Sequence, residues 1–143
     1  DYQGTYIAVI MKILDRLDQG LPPIVYGDGS QSYDFVYVGD CARANICAMQ
    51  SEATDEFYNV GTGIKTSIKE LAELLLELTD SDLKIEYKPG GLTFVKKRLG
   101  CPQKAEDQIN FKARTQLKEG LAKLIKWRNE HKSEVKRLRN KAK

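Results

Sequence analysis

The sequence is poor in the residues that build metal centres and disulfide frameworks. It has one histidine, His131, in 143 residues, so we expect neither a metal cluster nor a catalytic triad based on histidine. Its three cysteines are Cys41, Cys47 and Cys101, an odd number without a C-x-x-C pair, so no disulfide framework is predicted. They are predicted to be small buried hydrophobes in a reducing compartment, which indicates a cytoplasmic protein.

Long hydrophobic runs are also absent from the sequence. No apolar stretch approaches the ~18 residues of a membrane-spanning helix, and no basic-then-apolar signal segment opens the chain, so we expect no membrane partner. With 41% apolar and 30% charged residues, wholesale disorder is excluded. The length of 143 residues fits one domain. Because the chain begins with Asp1 rather than Met, we expect it to be processed or a piece of a longer protein.

The charge is unevenly distributed along the chain. The 23 Lys and Arg residues against 20 Asp and Glu leave a net charge of +3. Residues 132–143 hold six of the basic residues and one acidic residue, Glu134. We interpret this tail as a solvated helix end, where cations interact favourably with the helix dipole. A basic tail that binds nucleic acid is a weaker alternative, because no aromatic residues interleave the charges to stack on bases.

Hydrophobic periodicity and turn residues predict an α/β chain with short strands and about five helices. The helices are predicted over residues 5–19, from Asp40 to about Gln50, from Ser67, over residues 103–109 and from about Thr115. The strands are predicted over residues 24–26, 35–38, 57–60 and 83–87. Asp40 is a good N-cap, and the small residues after it indicate a helix that lies tight against a sheet. The helix after Ser67 has an apolar stripe of Leu71, Leu75 and Leu78.

The segment Gly61-x-Gly63-x-x-Thr66 is similar to a dinucleotide-binding fingerprint. It follows a predicted strand and precedes a predicted helix, but its third position must be small for the helix to pack closely on the strand. Threonine is too large there, so a plain strand-to-helix turn is the favoured interpretation.

A longer pattern resembles a known family. The run GDGSQSYDFVYVGDCARA, from Gly27 to Ala44, resembles the signature G-D-G-x-Q-x-R-D-F-V-x-V-x-D-x-A-x-A of nucleotide-sugar epimerases and dehydratases, which are extended short-chain dehydrogenases/reductases. Three further blocks follow in the family's order: FYNVGTG with the Ser67 helix start, Lys104-Ala105 with Asn110-Phe111, and LKEGL. The resemblance implies the C-terminal portion of an extended Rossmann-type fold, a single portion over residues 1–143 that lacks the N-terminal NAD-binding sheet.

The resemblance also implies what this portion does. Family members bind NAD on a Gly-rich turn near their start and abstract a proton with a Tyr-x-x-x-Lys pair. None of the seven tyrosines here has a lysine four positions later. The chain is therefore expected to be the substrate-binding portion of an NAD-dependent nucleotide-sugar epimerase, most similar to the UDP-sugar 4-epimerases. It would not be catalytic by itself, and the N-terminal NAD-binding portion would be its partner. No catalytic, cofactor-binding or metal residues are predicted in it.

The resemblance implies the substrate-binding residues. In relatives, the helix start matching Gly4-Thr5, the strand matching Ile24 to Tyr26 and the turn at Gly27 line the nucleoside.

The diphosphate side departs from the family pattern. An arginine usually stands where Tyr33 stands here, and a second one stands near Gly91. Tyrosine can donate one hydrogen bond to a phosphate but brings no charge. Lys97 and Arg98 are the nearest cations and are predicted to substitute, with surface charges on a loop as the open alternative.

The sequence leaves two other functions open. One is a non-catalytic interaction module that keeps the fold, and the other is the basic-tailed nucleic-acid binder. We also expect a homo-oligomer. The predicted strands 35–38 and 57–60 would expose unpaired edges, and the alanine-rich helix and the leucine stripe would lose some of their cover.

Overall fold

The computed structural model describes residues 9–90 and 97–141, which form an α/β chain as predicted. The helices are α1 (Val9–Leu17), α2 (Val38–Gln50), α3 (Ile68–Leu78), α4 (Gln103–Ile109), α5 (Leu117–Glu130) and α6 (Lys132–Lys141). The strands are β1 (Ile24–Tyr26), β2 (Ser32–Tyr33), β3 (Thr66–Ser67), β4 (Glu86–Lys88) and β5 (Lys97–Arg98). The described residues hold six helices rather than about five, because the chain turns at His131 and the basic tail forms a helix of its own. Within these ranges no helix has the length and apolar character of a transmembrane span.

The chain divides into two compact units. The described residues of the first unit are 9–29, 69–90 and 121–141, and those of the second are 30–68 and 97–120. In the first unit β1 pairs with β4 in parallel. In the second unit β2 is the central strand, antiparallel to β3 and parallel to β5.

The core of the first unit is built from apolar stripes of helices and the middle of β1. The buried side chains are Ile13 and Leu14 of α1, Val25 of β1, Leu71 and Leu75 of α3, Leu121 and Val135. Removing each such side chain from water is worth about 1.5–3 kcal/mol. Because Leu71 and Leu75 are fully buried, the expectation that the α3 stripe loses its cover is wrong for these two residues.

The core of the second unit forms where α2 meets α4. Ala44 packs with Ala105, Ile109 and the fully buried Phe111. Within the described part of the chain, the helix with small residues packs against the helix α4, whereas the sequence predicts packing against a sheet. α4 ends at Asn110, whose φ of 51° is left-handed, a conformation that asparagine tolerates. This turn carries the chain back into the core at the next residue.

The strands predicted over residues 35–38 and 57–60 are wrong. No strand forms in either segment, and α2 already begins at Val38. The strand before α2 is instead β2, three residues upstream of the predicted one. Aromatic and β-branched composition favours a strand only where a partner strand is present, and the described residues supply none beside these two segments.

The cysteines are less buried than predicted. Cys41 and Cys47 are half-buried, and Cys47 packs against the α2–α4 core. Cys101 is exposed, so the prediction of burial is wrong for it. Cys101 lies just before α4 in a segment without regular structure, where no apolar layer covers it.

An ion-pair cluster in the first unit joins α1, α5 and α6. Arg128 of α5, whose side chain is 4% exposed, donates to Asp15 (2.7 Å) and Asp18 (2.6 Å) of α1. Arg139 of α6 donates to the same two carboxylates at 3.1 and 2.8 Å. A buried guanidinium needs such partners because its desolvation is costly. The basic tail is therefore partly tied to the unit and not wholly solvated as predicted.

Candidate functional site

The two-residue ladder between β2 and β5 brings two predicted site residues together. Tyr33 pairs with Arg98, and Ser32 pairs with Lys97. Paired residues of adjacent strands lie about 4.8 Å apart and project to one face, whereas successive residues of a strand project to opposite faces. Arg98, rather than Lys97, therefore shares the face of Tyr33.

Both cations of β5 are available to a ligand. Lys97 and Arg98 are exposed, and no hydrogen bond or ion pair occupies either side chain among the residues that the structure describes. Tyr33 is half-buried, and its ring lies 6.1 Å from that of Phe35. A guanidinium offers a planar fork of donors that matches a phosphate, so this ladder can bind an anion.

Asp34, directly after β2, holds the ladder at its end. Its backbone N–H donates to the carbonyl of Arg98 at 2.9 Å. Its carboxylate accepts from the backbone N–H of Thr62 (3.0 Å), the Thr62 hydroxyl (2.5 Å) and the backbone N–H of Gly63 (2.9 Å). One residue thus contacts the strand and the loop on either side of β2.

These contacts decide between the two interpretations of the glycine segment. The N–H groups of Thr62 and Gly63, which a phosphate would have to use, already donate to the Asp34 carboxylate. A Cβ on Gly61 would lie 2.5 Å from an oxygen of that carboxylate, which explains the glycine. The segment is a turn closed by an internal anion. It is not the predicted strand-to-helix turn, because among the described residues no strand precedes it and β3 follows it before α3.

Asp40 was predicted as an N-cap but has another role. α2 begins two residues earlier, and Asp40 lies inside it with 4% exposure. Its carboxylate accepts from the Arg43 guanidinium (2.7 Å) and from the backbone N–H groups of Arg114 (3.2 Å) and Thr115 (2.9 Å). Burial raises the pKa of Asp40, but these hydrogen bonds outweigh it and lower the pKa to about 2. Asp40 therefore fixes the chain after α4 onto α2.

The predicted nucleoside-binding residues lie in the first unit or outside the described residues. Gly4 and Thr5 are outside them. Ile24 is half-buried in β1, and Tyr26 is 55% exposed at its end. Gly27 has a left-handed φ of 69° and donates its N–H to the carbonyl of Lys88 at 2.9 Å, so the turn there continues the β1–β4 pairing.

A cavity of about 520 Å³ in the first unit is lined by none of those predicted site residues that the structure describes. Its lining includes Leu17, Asp18, Leu78, Asp80, Ile125 and Arg128. The cavity lies where α1 and α3 end, beside α5, away from the end of β1 that the sequence pointed to.

The fold of this chain has close counterparts among solved structures. The structure is similar to the crystal structure of UDP-glucose 4-epimerase from Thermotoga maritima with UDP-glucose, with a TM-score of 0.83 and 32% identity over 91% of this chain and 41% of that one. It is equally similar to UDP-N-acetylglucosamine 4-epimerase from Methanobrevibacter ruminantium in complex with UDP-N-acetylmuramic acid, with a TM-score of 0.83, 32% identity, and coverage of 91% and 42%. The fold is that of the corresponding part of these epimerases.

The family follows from the sequence comparisons. The model of the NAD dependent epimerase/dehydratase family matches residues 1–61. UDP-N-acetyl-alpha-D-glucosaminuronate decarboxylase of Bacillus cytotoxicus is 32% identical over 130 residues, which are 87% of this chain and 40% of that protein. The predicted resemblance to the NAD-dependent epimerase/dehydratase family is therefore confirmed. The chain spans about two fifths of the length of the curated relatives it matches, 38% and 40% for the first two.

Sequence analysis missed the roles of Asp34 and Asp40. Both fall inside the Gly27–Ala44 run that carries the resemblance, which was the available signal. Their partners lie 28 and 74 residues away, a separation that no local pattern encodes.

Proposed function

We propose that this chain binds a UDP-sugar and supplies the substrate-binding portion of an NAD-dependent nucleotide-sugar epimerase. The observation that carries the proposal is Arg98, which is exposed beside Tyr33 in the β2–β5 ladder and forms no ion pair with any residue that the structure describes. In the family pattern an arginine stands where Tyr33 stands. In this chain Arg98, the residue that pairs with Tyr33 on the adjacent strand, supplies a guanidinium. A positive charge is therefore retained, although it comes from a different position in the sequence.

The two side chains divide the recognition of the diphosphate. Arg98 supplies the positive charge and a bidentate fork to the phosphate oxygens, and the Tyr33 hydroxyl donates one further hydrogen bond. Lys97, on the opposite face of β5, contributes less. The predicted nucleoside contacts of Gly4, Thr5, Ile24, Tyr26 and Gly27 remain part of this proposal.

The residues that the structure describes do not fit NAD. Their glycine loop at 61–63 is closed by Asp34, and the sequence contains no Tyr-x-x-x-Lys pair. We assign cofactor binding and proton abstraction to a further, N-terminal portion of the parent enzyme. The 143 residues alone are then expected to convert UDP-glucose no faster than a protein-free control.

Isothermal titration calorimetry of the chain with UDP tests the proposal, with uridine as the ligand that lacks the diphosphate. We expect heat on adding UDP and a much weaker response to uridine. Arg98→Ala should weaken UDP binding by about tenfold, which is the loss of one charged hydrogen-bonding group. Lys97→Ala is the matched control, since it removes a neighbouring cation from the other face.

Two results would contradict the proposal. If the wild-type chain fails to bind UDP, the substrate class is wrong. If Lys97→Ala and Arg98→Ala weaken binding equally, the cations act only through the general electrostatic field, and the assignment of Arg98 fails.

A further inference from the structure

We infer that Asp34 is a positioning residue for Arg98, an inference that rests on the proposed function. The Asp34 carboxylate accepts hydrogen bonds from Thr62 and Gly63, so it is assigned no direct contact with substrate. It stands at the end of the central strand β2 and fixes both neighbours of that strand, so the direction in which Arg98 projects depends on it.

The contact on the β5 side is made by the backbone. The Asp34 N–H donates to the Arg98 carbonyl at 2.9 Å, directly after the Tyr33–Arg98 pair. This hydrogen bond is the last one of the ladder. It fixes the peptide plane that follows the Arg98 Cα and hence the backbone from which the guanidinium projects.

The contact on the β3 side is made by the side chain. Three donors of Thr62 and Gly63 converge on one carboxylate at 2.5 to 3.0 Å. The Thr62 hydroxyl oxygen accepts in turn from the N–H of Ile64 at 3.0 Å. The hydrogen-bonded network of the loop therefore extends to Ile64, two residues before β3. Charge-assisted bonds to a carboxylate are roughly twice as strong as neutral ones.

The sheet is small enough to need this anchor. Each of its two ladders consists of two residue pairs, whereas strands in globular proteins are usually about five to six residues long. Without the carboxylate, the 61–63 loop loses its acceptor and β2 loses its fixed end. The Asp34 N–H then no longer holds the Arg98 carbonyl in one place.

The experiment measures UDP affinity by calorimetry and the free energy of unfolding for the same set of variants of the chain. Asp34→Asn removes the charge, and Gly61→Ala keeps the charge but places a Cβ against the carboxylate. Asp55→Asn, at an exposed position of the same unit, is the charge-matched control. Asp40→Asn is the stability control, because it weakens the same unit through partners that lie outside the ladder, Arg43, Arg114 and Thr115.

We expect Asp34→Asn and Gly61→Ala to weaken UDP binding by about tenfold. Loss of a negative charge by itself should not weaken the binding of an anion, so Asp55→Asn should bind UDP at least as tightly as wild type. The backbone amide resonance of Arg98 should shift in both variants, and Asp40→Asn should keep wild-type affinity despite its lower stability.

Three outcomes are decisive. If wild type does not bind UDP, the proposed function fails, while the Arg98 amide shift still tests the positioning. If wild type binds and the folded Asp34→Asn binds equally well, the inference is overturned. If neither Asp34→Asn nor Gly61→Ala folds, Asp34 serves general stability, and the inference is likewise overturned.

Discussion

At the scale of single residues, the second unit depends on two aspartates that act as internal anions. The Asp34 carboxylate accepts hydrogen bonds from the turn at 61–63. The Asp40 carboxylate, which lies in α2, accepts them from the chain after α4. Each accepts several backbone N–H groups that water would otherwise have to satisfy. Both lie within the Gly27–Ala44 run that carries the family resemblance, so that run contains structural carboxylates.

Asp40 should make the stability of the chain depend on pH at acid values. Its folded-state pKa of about 2 lies below the ordinary value of 3.8. The stabilisation is therefore fully present above about pH 5, and about 2 kcal/mol of it disappears as the pH falls toward 2. Urea unfolding at several pH values from 6 to 2 measures this loss of unfolding free energy.

Asp40→Asn should remove this acid-dependent component and lower the unfolding free energy at neutral pH by about 2–3 kcal/mol, because a charged acceptor is lost. Asp55→Asn, exposed in the same unit, should change little. An unchanged pH profile in Asp40→Asn would show that another carboxylate is responsible.

At the scale of elements, α6 is held to the first unit by charge as well as by burial. It contributes one buried apolar side chain, Val135, and its Arg139 joins the pair of α1 carboxylates. The Nε of Arg139 is buried and has no hydrogen-bond partner among the residues that the structure describes. The cations of the tail are thus divided, with Lys132, Lys136 and Arg137 exposed and Arg139 in the ion-pair cluster.

Arg139→Ala should loosen α6 by about 1–2 kcal/mol, since it removes two charged hydrogen bonds from a partly buried site. Hydrogen–deuterium exchange of the α6 amides should become faster, and trypsin should cut the tail sooner. Arg137→Ala, with a side chain that is 61% exposed and paired only at 3.9 Å, is the matched control and should have little effect. Equal effects of both substitutions would show that the cluster does not hold the helix.

At the scale of the whole molecule, the expected strand edges at 35–38 and 57–60 do not exist, but exposed apolar side chains remain on α2. Val38, Ile46 and Met49 are 74%, 52% and 85% exposed. Their spacing places them on one face of the helix, opposite Ala44. An apolar patch on the surface of a protein often marks a site of association with another chain.

We predict that the 143-residue chain associates with a second copy through this α2 face. Light scattering should give a species larger than 16.2 kDa, and the double substitution Ile46→Lys/Met49→Lys should restore the monomer mass without loss of stability. Gln50→Lys, exposed on the same helix, adds the same kind of charge and should leave association unchanged. A wild-type monomer would contradict the prediction.

The sequence by itself determined the elements with strong local signals. α4 lies over the predicted residues 103–109, β1 over the predicted 24–26, and Gly20 follows α1 within a few residues. The family resemblance also came from the sequence, because the Gly27–Ala44 run preserves residue types in order. These features depend on spacing and on turn residues, which lie within a few positions of each other.

Only the tertiary structure decided which segments pair and what the acidic residues do. β2 and β5 are 65 positions apart by their Tyr33–Arg98 register, and no sequence periodicity predicts that Arg98 lies beside Tyr33. The β-branched segment 35–38 has strand composition, but in the structure it leads into α2 because no partner strand lies beside it. Local sequence sets conformational preference, whereas hydrogen-bond partners distant in sequence select the pairing and thereby the face on which Arg98 lies.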